Sequence, residues 1–66
     1  MNKPLVKKYA IRLIDLEKKL NQATTKEEKE AIQNQITMLV HNIIINHGIE
    51  SMFDIDEAIM QLNKKS

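Results

Sequence analysis

The side chains best suited to chemistry are two histidines, His41 and His47, and an acidic run, Asp54, Asp56 and Glu57. Imidazoles can ligate a metal or carry a proton, and carboxylates can hold calcium or serve as acid and base. Their spacing argues against each use. Six residues along an α-helix turn through about 240°, so His41 and His47 point to different sides and cannot chelate one ion as an i, i+4 pair would. The acidic run begins like a calcium loop, but Ile59 stands where the sixth position of that loop needs glycine. Asp54-x-x-Glu57 reads better as a helix-capping box, with Phe53 and Ala58 at the staple positions. The chain has no cysteine, which removes thiolate zinc sites, cysteine nucleophiles and disulfides together and points to a cytoplasmic home. No constellation of residues makes an enzyme, and neither cofactor nor metal is expected.

The other chemistry open to these side chains is contact with phosphate. Lys7, Lys8, Arg12, Lys18 and Lys19 fall on the outer side of the first helical segment and form a candidate nucleic-acid face. No helix-turn-helix spacing, aromatic stacking pair or glycine-rich loop accompanies them, so any such binding is expected to be weak and salt-sensitive. Charge is unevenly spread. Residues 1–20 hold six bases against two acids, or +4, whereas Glu50, Asp54, Asp56 and Glu57 give −4 before Lys64 and Lys65. A dipolar pattern of this kind can steer helix onto helix, or subunit onto subunit, as readily as it attracts a polyanion.

The elements that must position these groups are helical. One Gly, one Pro and two aromatics, Tyr9 and Phe53, supply too little punctuation for a turn-rich β domain in 66 residues. With 42% hydrophobic residues the chain is too apolar for a disordered tail, yet it has no apolar run long enough to span a bilayer. No signal peptide is expected, because the basic N-terminal stretch never reaches an uninterrupted apolar core of the needed length, and Asp15 and Glu17 argue against a transit peptide. Ile, Lys and Asn account for 25 residues, a bias associated with A/T-rich coding genomes; separately, a phage or mobile-element origin is expected for a small regulator of this kind.

Val6, Tyr9, Leu13, Leu16, Leu20 and Ala23 recur at alternating spacings of three and four, which predicts a helix over about 4–22 opened by Pro4. Thr24-x-x-Glu27 and Thr25-x-x-Glu28 are overlapping capping boxes that start a second helix over about 25–47, with Ile32, Ile36, Leu39 and Ile43 as its seam and Gly48 as its stop. A third helix over about 53–64 carries Ile55, Ala58, Ile59 and Leu62. The stretch from Ile36 to Ile45 has β propensity, but the seam runs through it unbroken, so it is assigned to the helix. The expectation is one all-α domain over 1–66, a long antiparallel hairpin plus a short third helix.

Ile36, Met38, Leu39, Val40, Ile43, Ile44 and Ile45 point in nearly every direction round the second helix, and a helix apolar all round is a buried helix. In so short a chain, two neighbours cannot cover all of it unless Ile49, Met52 and Phe53 help. Self-association is therefore expected to complete the core, through Ile11, Ile14, Met38, Val40, Ile44 and Ile45. The functional expectation is a small interaction module, an adaptor or regulator that forms a homodimer and binds an unidentified protein partner, with no membrane contact. The alternative is a nucleic-acid accessory protein using the basic face of the first helix.

In outline, two such helices with Ile14, Leu20 and Asn21 on the first resemble the small aspartyl-phosphate phosphatases of the sporulation phosphorelay. That family carries a Ser-Gln-Glu-Leu-Asp run in its second helix. Here the second helix reads QNQITMLV, and no acidic residue occurs between Glu30 and Glu50. The resemblance thus implies a helical hairpin and transfers no catalytic residue.

Overall fold

The computed structural model describes residues 2–64; Met1, Lys65 and Ser66, included in the sequence-based domain and charge pattern, lie outside the described residues. Three helices account for almost all of it: α1 (Lys3–Gln22), α2 (Lys26–His47) and α3 (Glu50–Lys64). No strand occurs among the described residues, and the apolar stretch from Ile36 to Ile45 lies wholly within α2.

Each boundary has a local cause. Asn2 caps α1, its side-chain oxygen accepting from the Leu5 amide at 2.9 Å, and Pro4 occupies the first turn, where a missing N–H costs nothing. At the other end the Ala23 amide donates to Lys19 and Leu20 carbonyls, and the backbone then turns extended. Of the two overlapping boxes, Thr25 is the cap that forms: its hydroxyl oxygen accepts from the Glu28 amide at 3.2 Å. Glu27 and Glu28 then sit in the first turn, where the helix dipole favours negative charge. Thr25→Ala is expected to cost about 1 kcal/mol in a urea titration, whereas Thr24→Ala should leave the midpoint nearly unchanged. Equal losses for the two variants would mean that the cap is shared.

The third helix begins earlier than the capping signal at Asp54 predicts. Gly48 ends α2 with its amide donating to the Ile44 carbonyl, and its own carbonyl then accepts both the Ser51 amide at 3.2 Å and the Ser51 hydroxyl at 2.6 Å. That pair closes the first turn of α3 at Glu50, so Asp54 lies inside the helix instead of capping it, and Phe53 is an interior helical residue rather than a staple. Ser51 is buried with its hydroxyl satisfied.

Ala10 and Leu13 from α1, Ile43 from α2 and Ile55 from α3 form the centre of one core, and Leu16, further along the α1 seam, is buried as well. Val6, Tyr9, Ile36, Leu39, Val40, Met52, Ala58, Ile59 and Leu62 pack around it, each half-buried. The most extensive pairing is α1 with α3; α1 with α2 comes next, and α2 with α3 is the smallest. Ala10, fully buried in α1, has only a methyl side chain, which lets a neighbouring helix approach closely.

The molecule is flat. Its extents are 36 × 30 × 14 Å, and 14 Å admits no more than two layers of helix. Its radius of gyration is 12.4 Å, against roughly 10.8 Å for a compact chain of this length. The accessible surface is 5245 Å², where a compact monomer of this mass would show about 4,300 Å². This chain therefore leaves uncovered roughly 900 Å² that a rounder molecule would bury.

Candidate functional site

The outward faces of α2 and α3 carry the features that packing does not explain. At 100° per residue the inward side of α2 is centred on Ile43, with Ile32, Ile36, Leu39 and Val40 beside it. Met38 and Ile45 fall almost opposite and are 66% and 67% exposed. On α3 the inward stripe is Ser51, Ile55, Ala58, Ile59 and Leu62, and the outward side presents Phe53 and Met60, 69% and 64% exposed. Ile49, in the turn between the helices, is 64% exposed. Ile45, Ile49 and Phe53 thus follow at four-residue intervals round the α2–α3 corner, all three in solvent.

The six residues expected to mediate association therefore divide. Ile11, Met38 and Ile45 are exposed. Ile14 and Ile44 are half-buried, and Val40 packs against the core, so these three have less surface to offer a partner. Sequence reasoning did not single out Ile49, Phe53 or Met60 as association residues. Of Ile49, Met52 and Phe53, the three expected to cover α2, only Met52 turns inward and packs on the core.

The five basic residues lie within an arc of about 140° on the side of α1 away from Ala10 and Leu13, Lys8, Arg12 and Lys19 along one edge and Lys7 and Lys18 along the other, with Ile11 and Asp15 between the two rows. Two of the five line clefts that carboxylates of the same chain also line. Lys7, with Lys3, lines a cleft of about 650 Å³ whose opposite wall is Asp54 and Glu57 of α3, with Val6, Ala58 and Leu62 as apolar lining. Lys19 lines a shallower cleft with Glu28, Ala31 and Ile32 of α2. The positive first helix and the negative start of the third are thus neighbours in the fold.

The histidines do not meet. Both are exposed; His47 is the last residue of α2, and its ring lies 6.0 Å from that of Tyr9 at a 59° tilt, within the range of edge-to-face aromatic contact. Among the described residues no group of three His, Asp or Glu side chains is arranged to hold a metal, and no helix is long and apolar enough to cross a membrane.

No family model, no curated protein and no solved structure matches this chain.

Proposed function

We propose that this chain is a small cytoplasmic contact module, without catalytic activity of its own, that self-associates and holds a protein partner through outward apolar helix faces. The observation that carries this reading is the group Met38, Ile45, Ile49, Phe53 and Met60, five large apolar side chains each about two-thirds exposed. Single exposed apolar residues are ordinary, but several on adjoining faces of so small a molecule are the mark of a surface that is covered in use. The uncovered area of roughly 900 Å² supports the same reading, since a stable interface takes about 800 Å² from each partner.

We take α1 and α2 as an antiparallel hairpin. Tyr9, near the start of α1, touches His47 at the end of α2, as that arrangement requires when Thr24 and Thr25 connect the two helices at the other end.

Sedimentation velocity tests the self-association. At concentrations on the order of 10–100 µM the chain is expected to sediment at twice its 7.7 kDa, and to do so equally in low and high salt, because apolar burial is not screened. A 7.7 kDa species throughout that range would sink the reading.

Nucleic-acid binding through Lys7, Lys8, Arg12, Lys18 and Lys19 is the competing reading. Five cations interrupted by Asp15 and Ile11, two of them lining clefts that carboxylates of the same chain also line, offer few phosphate contacts at once. Gel shifts at about 150 mM salt are expected to show no more than weak, sequence-independent retention. A submicromolar shift that survives competitor DNA would reverse the ranking.

A further inference from the structure

From Ala31 to Ile49 the chain contains no Asp, Glu, Lys or Arg, although charged residues make up 29% of the whole. Burial does not account for this. Ala31, Asn34, Gln35, Met38, His41, Asn42 and Ile45 are all exposed, and together they form the outward side of α2 over four turns. A solvent-facing helix surface ordinarily carries charge, which keeps it soluble and apart from its neighbours. A long uncharged surface with methionine at its middle has instead the composition found at the centre of interfaces, where charged residues are depleted and Met is enriched.

Ala31, Met38 and Ile45 are spaced seven and seven, so they form one ridge along that surface, and Asn34, Gln35, His41 and Asn42 flank it. We propose that this ridge is the dimer interface and that its occupant is the same ridge of a second copy, running antiparallel across a two-fold axis at Met38. The proposal rests on the self-association read above and assigns it a surface.

Three observations select a second copy. A two-fold contact sets a surface against itself, so any charge near the axis would meet its own sign; this is the part of the chain that has none. The heptad spacing is symmetric about Met38, so superposing that residue on its mate brings Ala31 of each copy opposite Ile45 of the other. Small then meets large at both ends, as interdigitating layers need, and the amide side chains on the flanks can pair with one another. Finally, the surplus surface of roughly 900 Å² over the whole molecule is enough to supply one subunit's share of a standard interface.

The absence of native cysteine makes the register directly testable. With Met38 on the axis, Met38→Cys should give a covalent dimer under a mild thiol oxidant, since facing helix axes lie about 8–10 Å apart and side chains at the seam bring the sulfurs together. Ala31→Cys alone should not cross-link, because in the antiparallel arrangement its mate lies two heptads, about 21 Å, along the axis. An equimolar mixture of Ala31→Cys and Ile45→Cys should cross-link as heterodimers. Met38→Glu, which sets two carboxylates on the axis, should weaken the dimer by about a hundredfold or more in sedimentation. Met38 is exposed in the single chain, so the helical circular dichroism of this variant should persist under conditions where the monomer folds. Phe53→Glu serves as the companion variant and should leave the dimer intact.

Cross-linking by Ala31→Cys alone would overturn the antiparallel register. A dimer untouched by Met38→Glu but lost in Phe53→Glu would move the interface to the α2–α3 corner, leaving self-association standing and this assignment refuted. A monomeric unaltered chain would remove both.

Discussion

Ile43→Ala and Ile55→Ala are each expected to lower the stability of this protein by about 2–5 kcal/mol. A chain of this length has about 3–10 kcal/mol in all, so either variant should be largely unfolded or close to it at 25 °C. The size of the effect follows from position. These are the two largest fully buried side chains among the described residues, 1% and 0% exposed, and they stand at the centre where the three helices meet. Truncation removes the transfer energy of the lost methyl groups and leaves a cavity that the flat packing has few neighbours to fill. Ile43 carries a second burden, because it is the one buried residue of α2 and so holds that helix to the other two. Leu39→Ala, by contrast, removes a half-buried side chain from the same helix and should cost less than half as much. Urea titration followed by circular dichroism orders the three variants. It should be run at one fixed protein concentration, since a dimer's midpoint moves with concentration. A Leu39→Ala loss equal to that of Ile43→Ala would mean that the inward face of α2 is centred a turn too far along.

Those inward and outward faces show what the sequence could and could not reveal. On α1 the seam of Val6, Tyr9, Leu13, Leu16, Leu20 and Ala23 is narrow and bounded by charge, so its inward side was readable from spacing alone, and all six are buried or half-buried. On α2 the apolar residues surround the helix, and periodicity cannot choose among directions when every direction is apolar. The choice of Ile43 as the buried residue, with Met38 and Ile45 left in solvent, came from where α1 and α3 dock. Round the α2–α3 corner and along α3 two stripes compete at helical spacing, Ile55–Ala58–Ile59–Leu62 and Ile49–Phe53–Met60. Spacing favours only the first, because Asp54-x-x-Glu57 places the predicted start at about residue 53, which leaves Ile49 in a loop and makes Phe53 a staple. The Gly48–Ser51 hydrogen bonds that start the helix earlier are a weaker signal in sequence than a capping box. The placement of Lys7 in one cleft with Asp54 and Glu57 depends on the docking of α3 against α1, a contact between distant segments that no local pattern encodes.

The turn that sets this docking depends on one backbone geometry, and Gly48→Ala is expected to cost about 1–3 kcal/mol because of it. Gly48 has φ +87° and ψ 158°, a combination open to glycine and closed to L residues, whose Cβ would collide with the adjoining backbone. No atom lies within 4 Å of the position a Cβ would occupy, apart from glycine's own chain neighbours. The cost is therefore one of local conformation, with no contribution from crowding in the core. That separation gives the prediction its discriminating controls. Gly48→Asn should rescue little, because asparagine tolerates the left-handed helical region, where ψ is near +47°, and not ψ of 158°. D-alanine, introduced by chemical synthesis of the chain, should restore stability, because its mirror-image backbone preference admits this φ. If the turn relaxes in Gly48→Ala, the carbonyl that accepts both the Ser51 amide and hydroxyl moves as well, and the first turn of α3 frays with it. Amide exchange should then quicken at Ser51 and Met52, whose amides form that turn, and remain slow in the middle of α1. Equal stabilities for the L- and D-alanine proteins would show that residue 48 does not hold a positive φ in solution.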